Sequence, residues 1–204
     1  METMRRVVVS STLAFAMLAL VACAKPPQAA IDQADVALSA ASDSEAAVYA
    51  QTEWEAAQKA MNAAKAEIEK QNAKFALVRS YKKAEELLAD AKKTADEAKQ
   101  AAIAGKEAMR LEVEKAVATI GDDLKKASED LTALQKCRHR PKGFTTDLEM
   151  LKGNTEGLKT QLGEVSAAAA AAKYKEADTM AQELKGKVGA LLTDLQGARK
   201  KLGC

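Results

Sequence analysis

From residue 77 onward, apolar side chains recur at intervals of three and four, through Leu77, Tyr81, Ala84, Leu88, Ala91, Ala95, Ala98, Ala102, Gly105 and Met109. Such spacing lays one stripe along one face of an α-helix and, when sustained, forms the seam of a coiled coil. The stripe continues as Val113, Val117, Ile120, Leu124, Ala127, Leu131 and Leu134, shifted by one residue because successive steps of four fall around Met109. That shift is a stutter, which locally unwinds a supercoil. The pattern predicts a long central helix over about 77–136. Gly105 and Gly121 are the places where it can bend, since Gly costs about 1 kcal/mol against Ala inside a helix.

Upstream, Ile31, Ala34, Leu38 and Ala41 mark a first helix that begins just after Pro26-Pro27, and proline suits a first helical turn. Ser42-Asp43-Ser44 is its expected stop or bend. Trp54, Ala57, Met61, Ala64 and Ile68 line a second helix beginning near Thr52, where Thr52 and Glu55 stand at capping-box spacing. Asn72-Ala73-Lys74 is the next expected break, and Cys137-Arg-His-Arg-Pro-Lys-Gly143 ends the central helix.

After that turn, Thr146 and Glu149 repeat the capping-box spacing. Leu148, Leu151, Thr155, Leu158, Leu162, Val165, Ala169 and Ala172 form one seam, and Ala177, Ala181, Leu184, Val188, Leu191, Leu195, Ala198 and Leu202 form another. The run Ala167–Ala172 is strongly helix-forming, so these seams read either as one arm of about 58 residues, roughly 87 Å long, or as two helices folded back near Lys173. Tyr81-Lys-Lys-Ala84 and Tyr174-Lys-Glu-Ala177, echoed by Trp54-Glu-Ala-Ala57, share an aromatic-x-x-Ala start that in helical hairpins often opens the helix after a turn. The expected fold is all-α: an antiparallel bundle of coiled-coil hairpins. An N-terminal three-helix unit occupies 28–104, and 105–204 is a second three-helix unit or a long hairpin.

Composition supports this reading. Proline occurs only at Pro26, Pro27 and Pro141, aromatics make up 3% of the chain, and Ala, Lys, Glu, Gln and Leu dominate. With 31 basic and 29 acidic residues the formal net charge is +2, which argues against nucleic acid as a partner, because phosphate binding draws on a concentrated basic surface. Lys136, Arg138, Arg140 and Lys142 make the one local charge cluster, expected to be a solubilising turn at a helix C-terminus.

The N-terminus has a different character. Arg5 and Arg6 precede the 16 uncharged residues Val7–Ala22. A basic start, a short apolar core and a small-residue exit describe a secretory signal, too short for the ~20 residues of a membrane-spanning helix. Leu20-Val21-Ala22-Cys23 resembles the lipobox of bacterial lipoproteins. The resemblance implies a signal peptide at 1–22, cleavage after Ala22, acylation of Cys23, and a short linker over 23–27. Ala24 in place of an Asp implies the outer membrane, on its periplasmic face. Acylation of Cys23 would leave Cys137 and Cys204 as the candidate disulfide in an oxidising compartment. A disulfide needs Cα atoms within about 7 Å, so this pair favours the folded-back arrangement over the continuous arm.

Reactive constellations are scarce. His139 is the only histidine and is read as a solvated loop residue beside a disulfide cysteine, not as a catalytic base. No Cys-x-x-Cys and no Gly-rich phosphate loop occurs. Glu85-Glu86, Asp122-Asp123 and Glu129-Asp130 interleave with lysines at helical spacing, as a solvated ion-pair surface does. No catalytic residue, metal ligand or cofactor site is assigned, and the expectation is a non-enzymatic protein.

With its lipobox, its Ala-rich helices and the segment from Ala29 to Ala102 that includes Ala30-Ile31 and Tyr81-Lys-Lys-Ala84-Glu-Glu-Leu, the chain resembles small helical outer-membrane lipoproteins built on a domain of unknown function. The resemblance implies location and fold, and no catalytic residues. Two functions are expected: a structural or protein-interaction module of the cell envelope, partnered with an envelope protein, the cell wall or a second copy of itself, or a binding module that shelters a lipid or other apolar ligand.

Overall fold

The computed structural model describes residues 25–203, and these residues form helices and turns with no strand among them. Helix α1 spans Gln28–Asp43, α2 is the short Ala46–Tyr49, and α3 spans Gln51–Asn72. A single 3₁₀ turn, Ala76–Val78, precedes the long α4, Lys82–Gln135, which is followed by α5, Phe144–Ala170, and α6, Tyr174–Leu202. The protein is all-α. The chain divides into two compact units between Ala102 and Ile103, within α4.

In the first unit α1 and α3 run antiparallel, and Lys65 reaches Asp35 at 3.2 Å across them. Ala34, Met61, Ala64, Ile68, Tyr81, Ala84, Leu88 and Ala91 form one buried cluster, against which Ala30 and Ile31 pack. Ala37, Ala41, Ala46, Ala50, Ala57, Ala95, Ala98 and Ala102 form a second cluster, against which Trp54 and Tyr49 pack. Small side chains let the helices approach closely, at the cost of less apolar area buried per position. This ordering places the start of α1, the end of α3 and the start of α4 at one end of the unit.

Two expectations are corrected here. The central helix begins at Lys82, not 77, and Leu77 is 70% exposed. Arg79 has an extended backbone, which ends the 3₁₀ turn before α4 starts. The Thr52–Glu55 capping box does not form. Helix α3 opens at Gln51 after Ala50 without a side-chain cap, and Glu55 instead accepts a hydrogen bond from Gln51 at 2.9 Å. Between α1 and α3, Glu45 is left-handed (φ 59°), the Ser44 hydroxyl donates to the Ala40 carbonyl at 2.9 Å, and the unforeseen α2 fills the turn.

In the second unit, residues Val113 to Leu134 of α4 meet Leu158 and Val165 of α5 and Ala177, Ala181, Leu184, Val188, Leu191 and Leu195 of α6 in one core. The seam read from the sequence is the buried stripe, and α4 remains helical through Gly105 and Gly121. The open question after residue 146 resolves as two helices, turned at Ala171–Lys173. The Lys173 amide bonds to the Ala168 carbonyl and the Ala172 amide to that of Ala169, both at 3.0 Å, with Ala172 at φ 59°. This is a Schellman closure, in which a left-handed residue lets the last carbonyls of a helix find donors. The second capping box, Thr146–Glu149, is also absent. Gly143, left-handed at φ 89°, is the N-cap and starts α5 at Phe144, three residues earlier than a cap at Thr146 would.

Candidate functional site

The connection between α3 and α4 is held by a dense polar network. Gln71, 5% exposed, donates to Glu67 Oε1 at 2.6 Å and accepts from the Ser80 amide at 3.2 Å. The Tyr81 hydroxyl donates to Asn72 Oδ1 at 2.5 Å. Arg79 donates from Nε to the Lys74 carbonyl and from Nη2 to the Asn72 carbonyl, each at 2.8 Å, satisfying acceptors at the end of α3. The Gln71 hydrogen bond holds the Glu67 carboxyl below its ordinary range; partial burial opposes it, and Lys70, Lys83 and Lys74 add to it.

This network presents a short apolar tip. Phe75, Leu77 and Val78 are 73, 70 and 64% exposed. From Lys70 to Lys83 the chain carries Lys70, Lys74, Arg79, Lys82 and Lys83 and no acidic residue. The sequence reading missed this second basic cluster, because it placed Leu77 in a buried seam. The unbroken KFALVRSYKK run, basic at both ends around four apolar residues, was the signal available.

The basic turn read from the sequence follows α4. Arg140 donates to the Gln135 carbonyl at 2.6 Å and to the Cys137 carbonyl at 3.3 Å, and its guanidinium lies 6.0 Å from the centre of the Phe144 ring. It caps the helix C-terminus, as cations there do. Arg138, His139 and Lys142 are exposed. Cys137 is buried, its sulfur is 3.6 Å from the Ala133 carbonyl oxygen, and it is in disulfide linkage. Ala22, Cys23 and Cys204 lie outside the described residues.

Beside this turn the second unit has a cleft of about 330 Å³, lined by Leu134, Phe144, Leu148, Leu151, Ala198 and Leu202 with Lys142, Asp147, Asp194 and Lys201 among its polar members. Ligand sites of roughly 300–1,000 Å³ with apolar walls and few polar groups are common.

Of the carboxylate pairs read from the sequence, Asp123 and Asp130 form ion pairs, with Lys126 and Arg199, and further ion pairs lie along α4. Lys92 meets Asp96 at 2.7 Å, Lys126 meets Asp123 at 3.0 Å, and Arg110 bridges Glu107 and Glu114. The last pairing pushes the Arg110 pKa further up and holds the Glu107 carboxyl below its usual range. Among the described residues no group of three or more His, Cys, Asp or Glu is arranged to hold a metal ion. No helix among them is long and apolar enough to cross a membrane. No protein-family model matches the chain, and neither a curated protein nor a solved structure does.

Proposed function

We propose that this chain is a lipid-anchored protein of the bacterial envelope, cleaved after Ala22, acylated at Cys23 and held on the periplasmic face of the outer membrane. There its helical body acts as a structural or protein-interaction module. The observation that carries this reading is the sequence Leu20-Val21-Ala22-Cys23 at the end of a short uncharged core, with a helix starting at Gln28 only five residues beyond Cys23. Acyl chains contribute about 0.8 kcal/mol per buried CH₂, so two or three of them anchor a protein of this size stably. Metabolic labelling with palmitate is expected to mark the native chain and to be lost in Cys23→Ser. Persistent labelling of that variant refutes the anchor.

The same reading pairs Cys137 with Cys204. Leu202, two residues before Cys204, packs on the cluster that contains Cys137, which supports the pairing.

The cleft beside Phe144 favours a second function, sheltering of a lipid or other apolar ligand. Native mass spectrometry of protein purified from envelopes is expected to show a stoichiometric adduct if this holds. Leu148→Trp, which fills the cleft, removes that adduct.

A further inference from the structure

Phe75, Leu77 and Val78 are exposed side by side although the turn that carries them is tightly bonded. Arg79 fastens the turn to the carbonyls of Asn72 and Lys74, and Tyr81 and Ser80 fasten it to the side chains of Asn72 and Gln71. Three neighbouring apolar side chains held exposed on a fixed support mark an interaction site, because covering them would recover the burial that such residues normally obtain.

The surrounding charge restricts what that occupant is. Lys70, Lys74, Arg79, Lys82 and Lys83 flank the tip with no acidic residue between them in sequence, and the Glu67 carboxylate, near Lys70, Lys74 and Lys83, offsets only one of these five cations. An apolar wedge with a cationic border matches an anionic phospholipid surface, where apolar groups enter the acyl boundary and lysines meet phosphates.

A second observation concerns position. The contact between Lys65 and Asp35 and the cluster of Ala30, Ile31, Ile68 and Tyr81 put the start of α1 at the same end of the first unit as the tip. Residues 1–24, including Cys23, join the described chain at that end, through exposed Lys25 and the two prolines.

We propose that Phe75, Leu77 and Val78 insert into the interfacial layer of an anionic phospholipid bilayer beside the lipid on Cys23, giving the first unit a second point of membrane attachment. This inference rests on the lipid-anchor reading for its position, and on the tip itself for its chemistry. Two contacts would restrict the tilt of the helices, which a single flexible anchor does not.

The test uses the processed chain purified from envelopes and reconstituted in vesicles of brominated phosphatidylcholine with a minor share of phosphatidylglycerol. Leu77→Trp in a Trp54→Phe background places the only indole at the tip, and the native chain carries its only indole at Trp54, in the cluster at the opposite end. The introduced indole is expected to lose roughly half its emission to bromines at the depth of about 5–10 Å where interfacial groups rest, while the native Trp54 loses little. Equal emission from the introduced indole in brominated and ordinary vesicles overturns the proposal. So does photo-crosslinking from position 77 in cells that captures a protein and no lipid, which identifies an acidic protein groove as the occupant. Intact mass of the same preparation reports acylation separately. Absence of acyl chains refutes the anchor, and the indole still reports the tip when that protein is added to the vesicles from solution.

Discussion

Glu67 shows how one side chain stabilises a turn. Its carboxylate accepts from buried Gln71, which in turn accepts from the Ser80 amide, so the charge on Glu67 orients the amide that bonds the start of the next segment. Because the folded state lowers the Glu67 pKa, its contribution is present above the unfolded value near 4.3 and is lost as pH falls through the lower folded value. Acid unfolding followed by circular dichroism is therefore expected to begin at lower pH in Glu67→Gln than in the native chain, once both are normalised to pH 7. An unchanged acid limb excludes this role. The buried faces were legible residue by residue, since Ala57, Met61, Ala64 and Ile68 are all buried as their spacing requires. The polar network was not, because Gln71 and Ser80, nine residues apart, meet only through the particular path of the turn between α3 and α4, which apolar spacing does not encode.

At the scale of the helix, the ends were harder to read than the bodies. Thr52 and Thr146 had capping-box partners at the right spacing, yet both helices start earlier, at Gln51 and Phe144. The short α2 and left-handed Gly143 set those starting points, and neither acts through the spacing that a capping box uses. The turn at Ala171–Lys173 lies at the end of an alanine run, where local propensity alone favours continuing the helix. Tyr174-Lys-Glu-Ala177 was the only local sign of a new start, and Ala177 is fully buried. Ala172 pays for the left-handed conformation, so Ala172→Gly is expected to stabilise the second unit by about 0.5–1 kcal/mol. In an uninterrupted helix the same change would destabilise by about 1 kcal/mol, and the sign measured in urea titrations separates the two structures.

For the molecule as a whole, the two units have unlike cores. The first is built largely of alanine around Met61, Ile68, Tyr81 and Leu88, whereas the second gathers Ile120, Leu124, Leu134, Leu184, Val188, Leu191 and Leu195 and contains the disulfide of Cys137. Less apolar area per position means a smaller gain from burial. Amides in α3 are thus expected to lose hydrogen-exchange protection before those in α6, and reduction of the disulfide to narrow the difference by about 2–4 kcal/mol. Equal protection in both units would contradict this account. The sequence by itself determined the all-α character, the long central helix and the buried stripe, because a period of three to four and the near absence of proline act locally along the chain. Only the tertiary structure decided that residues after 143 fold back as two helices, and that Leu77 leaves the seam for an exposed basic turn. The first rests on the packing of α5 against α6 and α4, which offsets the local preference of the alanine run for a continuous helix; the second rests on the bonds that Arg79, Ser80 and Tyr81 make back to the end of α3, a turn geometry that apolar spacing does not encode.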